Sequence, residues 1–174
     1  MKQYLLTLLL LIPSFSYAFE FEGGVITIPA AFESNITVPM GNQGKSYGFK
    51  KTHEDGKTGT LLQISYASPG EIPELSNDEH IKYSTQYLLQ FLGGVERRKE
   101  NFKQTAPTII TIAGKPAAKA TWTGSELNRK MEGTMYCYIY DSKIFNLHTQ
   151  DFIEYKRKYT KLAETAFETI NVNR

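Results

Sequence analysis

The sequence predicts an α+β domain, an antiparallel β-sheet meander with helices packed on it as an α/β/α sandwich. Short runs rich in β-branched and aromatic residues alternate with turn residues through the first third of the chain. Two longer stretches, 77–92 and 151–170, repeat apolar residues at helical spacing. Between them, residues 130–150 read as one long β-hairpin on which the rest packs.

The chain opens on a different pattern. Lys2 gives a short positive region, 5–12 an apolar core, and Ser16-Tyr17-Ala18 a small-x-small cleavage site. That order is a secretory signal peptide, so 1–18 is set apart and 19–174 forms a single α+β domain. The apolar core is about eight residues, short of the roughly 20 a membrane-spanning helix needs, and no later stretch approaches that length. No cysteine follows the core, so there is no site for a lipid anchor. The expected product is exported, periplasmic or secreted, and not lipid-anchored.

Within the domain, Val25-Ile26-Thr27-Ile28 is a strand stopped by Pro29. Strands follow at 35–38, at 47–51 and at 60–66, where Leu62, Ile64 and Tyr66 alternate with polar neighbours. The Pro- and Gly-containing stretch 68–75 is a loop that changes structural type. Ser76 and Glu79 are spaced as a capping box, and Ile81, Tyr87, Leu88, Phe91 and Leu92 continue as an apolar stripe. Gly93-Gly94 is expected to end that helix near Leu92. Two more strands lie at 108–112 and 116–123. After the hairpin, Asp151 stands as a cap three residues before Glu154, and Tyr155, Tyr159, Leu162, Ala166, Phe167 and Ile170 form the stripe of a closing helix.

In the hairpin, Asp141-Ser142 supplies the two central turn residues. The register then sets Tyr138 against Phe145 and Tyr136 against Leu147 on one face. Cys137 opposes Asn146 and Met135 opposes His148 on the other. Both faces are largely apolar, so helices are expected to cover both sides.

The order of elements, the Ile112-Ala113-Gly114-Lys115-Pro116-Ala117 turn, the 133–140 strand with its hairpin partner and the terminal amphipathic helix resemble the PsbP-like fold, including the exported bacterial DcrB family. The resemblance spans about 24–170. It implies an accessory, partner-binding role and brings no shared catalytic set.

The residues name no reaction. His53, His80 and His148 stand at no metal-ligand spacing, and Gly114-Lys115 lacks the glycine a phosphate-binding loop requires, so no metal and no cofactor is expected. A formal net charge of +2 gives no reason to expect nucleic acid as partner. Arg97, Arg98 and Lys99, in the densest charge run, are candidates to recognise an acidic partner. Cys137, the single cysteine, and His148 are diagonal neighbours on one hairpin face, the arrangement of a reactive thiol if solvent reaches it. Tyr136, Tyr138 and Tyr140 share the other face, where the closing helix packs on them or leaves an aromatic groove. Three functions follow. The leading one is an exported, non-enzymatic accessory protein binding another protein or an envelope component. The others are a thiol-dependent enzyme or redox sensor using Cys137 with His148, and a small-ligand carrier using the tyrosine face.

Overall fold

The computed structural model describes residues 16–40 and 44–172, so most of the signal-peptide expectation, 1–15, lies outside the described residues. In chain order the elements are β1 (Ser16–Phe21), β2 (Gly24–Pro29), β3 (Glu33–Pro39), β4 (Gly44–Thr52), β5 (Gly59–Ala67) and α1 (Asn77–Glu96). Then come β6 (Glu100–Gln104), β7 (Thr108–Ile112), β8 (Lys115–Glu126), β9 (Arg129–Tyr140), β10 (Lys143–Phe152), a 3-10 turn (Ile153–Tyr155) and α2 (Lys158–Glu168). The fold is α+β, and its sheet pairing is antiparallel throughout.

The large sheet runs β3-β4-β5-β10-β9-β8-β6, with β7 also pairing on β8. Two meanders, β3-β4-β5 and β8-β9-β10, are thus joined along β5 and β10. The β9–β10 hairpin has the expected register: Tyr138 pairs with Phe145, Tyr136 with Leu147, Cys137 with Asn146 and Met135 with His148. Asp141 and Ser142 take φ of 47° and 56°, the left-handed pair that a two-residue turn of matching twist requires. Leu127 and Asn128, at 49° and 62°, make a second such turn between β8 and β9.

One face of the sheet presents Phe49, Leu62, Ile64, Tyr136, Tyr138, Phe145 and Leu147 to Ala163, Ala166 and Phe167 of α2 and to Ile26 and Ile28 of the separate β1–β2 hairpin. The other face sets Ala118, Ala120, Trp122, Met135, Cys137 and Ile139 against Leu88 and Leu92 of α1. This second face is only partly covered. Helix α1 lies mainly over β8 and β9, and past its edge the same face turns polar through Gln63, Ser65, Asn146, His148 and Gln150.

Two boundaries and two strands differ from expectation. Helix α1 starts on its capping box, with Ser76 N–H donating to Glu79 Oε2 at 2.9 Å and Glu79 N–H to Ser76 Oγ at 3.4 Å, yet it runs through Gly93-Gly94 to Glu96. Two glycines cost about 1 kcal/mol each in a helix, which is offset by packing Val95 on the α1 core. Asp151 caps no helix, because its carboxylate is taken by His53, just after β4, and Thr60 of β5, and the closing helix begins at Lys158, after Lys156 and Arg157 adopt left-handed φ. Strands β1 and β6 carry too little alternation to stand out in sequence, and each is fixed by its pairing partner.

Candidate functional site

The extra turn of α1 brings the charge run over the uncovered polar part of the sheet. A groove of about 540 Å³ lies there. Gln63, Asn146, His148 and Gln150 form its floor, Gln90, Phe91 and Val95 its helical wall, and Arg97 and Arg98 its rim. Gly93 and Gly94 leave room along the helix: a Cβ on either would meet nothing nearer than the Arg97 guanidinium, at 4.0 and 3.9 Å.

The floor is polar at depth. Asn146 is 5% exposed and His148 7%. Trp122 Nε1 donates to His148 Nε2 at 3.2 Å, which requires that nitrogen to be unprotonated and assigns the ring proton to Nδ1. Burial, and after it the positive charge of Lys99, pushes the imidazole down to about 4, so it is neutral at ordinary pH. The Gln63 amide nitrogen donates to Ser46 Oγ at 2.8 Å and Ser65 Oγ at 2.9 Å, leaving Oε1 as acceptor. Among the described residues Asn146 has only a long 3.5 Å bond, from Nδ2 to the Tyr136 carbonyl.

The three basic residues separate in role. Lys99 Nζ is held by Glu126 at 2.6 Å and by Met131 Sδ at 3.4 Å. Among the described residues Arg97 and Arg98 make no ion pair, so their charge faces the groove mouth without a counter-ion.

Cys137 and His148 share this sheet face as diagonal neighbours, as the register dictates. Cys137 is 0% exposed, burial pushes its thiol well up, and the His148 ring nitrogen that is bonded goes to Trp122. Tyr136 and Tyr138 lie buried on the opposite face: Tyr136 meets Phe167 of α2 edge-on at 5.4 Å, and Tyr138 stacks on Phe145 of β10 at 4.9 Å.

A second cluster had no signature in sequence. His53 Nε2 lies 2.9 and 3.1 Å from the two oxygens of Asp151, 98 residues away. Thr60 Oγ1 donates to the same carboxylate at 2.6 Å and Phe152 N–H at 2.7 Å. The Tyr155 ring stacks on His53 at 3.4 Å. Among the described residues no hydroxyl or thiol hydrogen-bonds to the His53 ring, so the pair orients no nucleophile. Its effect is to tie the ends of β4, β5 and β10 to the 3-10 turn. No group of three His, Cys, Asp or Glu side chains suited to a metal occurs among the described residues, and no described helix is long and apolar enough to cross a membrane.

No family model matches the chain, and no curated protein does. Several solved structures share the fold, PA94 and LpqN among them. Protein PA94 of Pseudomonas aeruginosa, of unknown function, superposes with a TM-score of 0.54 at 15% identity over 91% of this chain and 97% of its own. LpqN of Mycobacterium tuberculosis, involved in cell envelope biogenesis, gives 0.51 at 10% identity over 88% and 87%. At these identities the likeness is one of fold.

Proposed function

We propose that this protein is an exported accessory protein of the cell envelope that binds an envelope component through the groove between the end of α1 and strands β5 and β10. The observation that carries this reading is the groove floor, where Asn146 and His148 are more than nine-tenths buried yet face an open cavity with hydrogen-bonding capacity left over. The spare groups open onto the groove, where a ligand that both donates and accepts would engage them together. The envelope role of LpqN, which shares the fold, is compatible with this assignment. Membership of the PsbP-like or DcrB-type group rests on the element order and the 112–117 turn. The burial of Cys137, Tyr136 and Tyr138 favours groove binding over the thiol and tyrosine-groove alternatives.

Cleavage at the expected site would divide β1, removing Ser16, Tyr17 and Ala18, which pair with Pro29, Ile28 and Thr27 of β2. Ser16, Tyr17 and Ala18 are exposed, whereas Phe19 packs edge-on against Tyr47 at 5.2 Å and Phe49 at 5.0 Å. Cleavage after Ala18 therefore keeps the residue that contributes to the core. N-terminal sequencing of the protein recovered from cells should begin at Phe19; a chain retaining Met1 would contradict export. The binding role is tested by a photo-crosslinking residue at Gln90 compared with one at the exposed Leu127. Adducts specific to Gln90 are expected, and equal labelling at both positions would remove the groove from consideration.

A protein partner is favoured instead by one feature, the outer edge of β3, where Ile36 and Val38 stand exposed at the end of the sheet. Crosslinks to another polypeptide from Ile36, with none from Gln90, would select that reading.

A further inference from the structure

We infer that the groove takes an acidic sugar: a hydroxyl-bearing ring carrying one anionic group, held by the amide and imidazole floor and by Arg97 and Arg98 at the rim. This rests on the groove-binding reading above and specifies the ligand.

The floor matches hydroxyl chemistry. A sugar hydroxyl both donates and accepts, and vicinal hydroxyls need such pairs side by side. Gln63 offers its Oε1 as acceptor because its nitrogen is engaged by Ser46 and Ser65. His148 offers Nδ1–H as donor because Nε2 is engaged by Trp122. Gln150 and Gln90 make no hydrogen bond to a described side chain, and each amide supplies both kinds of group. Gln63 and His148 thus present an acceptor and a donor in fixed positions, each set by a neighbour that occupies the other half of the side chain. Beside them Phe91 gives an apolar wall for the carbon face of a ring. The volume, about 540 Å³, lies within the range of small-molecule sites, about 300–1,000 Å³.

The rim matches an anion. Glu126 also lines the groove but is paired with Lys99, so the two cancel locally. Arg97 and Arg98 are left as two uncompensated cations whose planar forks fit a carboxylate or phosphate bidentately. The carbonyl end of α1 works against an anion there, with roughly half a negative charge at the helix terminus, and two full positive charges outweigh it. A neutral sugar would leave the arginines unpaired, and a simple anion would leave the floor unpaired. A ligand carrying both features satisfies the whole site.

The test is calorimetric titration of the protein, with the N-terminus it carries when isolated from cells, against glucuronate, glucose 1-phosphate, glucose, acetate and inorganic phosphate. At least one of the two acidic sugars should bind about tenfold or more tighter than glucose and than either simple anion. Preference for glucuronate assigns a uronate-type carboxylate, and preference for glucose 1-phosphate a phosphorylated sugar. Arg97→Gln with Arg98→Gln, both away from the core, should abolish the preference for acidic over neutral sugar. Gln150→Ala should weaken sugars while leaving any residual anion binding in place. Acetate or phosphate binding as tightly as the acidic sugars, or no binding by either acidic sugar, overturns the inference. If Gln90 crosslinks specifically in cells while neither acidic sugar binds, the groove is a site for another ligand and only this inference fails. If neither occurs, both readings fall.

Discussion

Trp122 and His148 meet inside the sheet, the indole Nε1–H donating to the imidazole Nε2 across 3.2 Å. One contact therefore fixes the tautomer of a residue on the groove floor and closes the hydrogen-bonding of the single tryptophan. The proton of His148 becomes a stability variable.

His148 is held down to about 4 by burial and by Lys99, against a usual value of 6.5. Between those values the unfolded chain binds the proton and the folded chain does not. The stabilisation is complete above about pH 6.5 and is lost as pH falls toward 4, by on the order of 3 kcal/mol. Urea unfolding across pH 7 to pH 4 should show this loss. His148→Gln, which keeps an acceptor for Trp122, should flatten the profile relative to wild type; identical slopes would refute the assignment.

Gly133 pairs with Trp122 across β8 and β9, and a Cβ there would come within 2.5 Å of the indole. Gly133→Ala must push the ring off its bond to His148. The expected cost is about 1–3 kcal/mol, with a shift in tryptophan fluorescence. An unchanged emission spectrum would show that the ring has room that the packing denies it.

The carboxylate of Asp151 is 1% exposed and partnered by His53. His53→Ala leaves that carboxylate buried with only Thr60 and the Phe152 N–H as partners and should cost about 3–5 kcal/mol in chemical denaturation. Combining it with Asp151→Asn should recover part of the loss, because the uncompensated charge goes too. Strict additivity of the two changes would mean that the residues do not act as a pair.

Cys137, wholly buried with its thiol pushed up, should react with a thiol reagent only as fast as the chain opens. Labelling should be slow in buffer, complete in urea, and unaffected by His148→Gln beyond its effect on stability. Rapid labelling of the folded protein would restore the thiol-dependent reading.

The hairpin register and the start of α1 were legible because each is written within a few residues. A two-residue turn with alternating neighbours allows one pairing, and Ser76 with Glu79 satisfies free donors wherever a helix begins. The end of α1 was not. Gly93-Gly94 reads as a stop, and only the packing of Val95 on a core formed by distant strands carries the helix to Glu96. Asp151 reads as a cap for the same local reason and is diverted by His53 and Thr60, which lie nearly a hundred residues earlier.

The sequence by itself determined the class of fold, the long hairpin with its facing residues, and the charge run at 96–100, because periodicity, turn chemistry and capping act over a few residues. Tertiary structure alone decided the groove and the His53–Asp151 tie. Both depend on β5 lying beside β10, a pairing of two meanders separated by a helix and two strands. No local pattern specifies that pairing; it follows from burying both apolar faces at once. It sets Gln63 next to His148, beneath the arginines that α1 extends far enough to deliver.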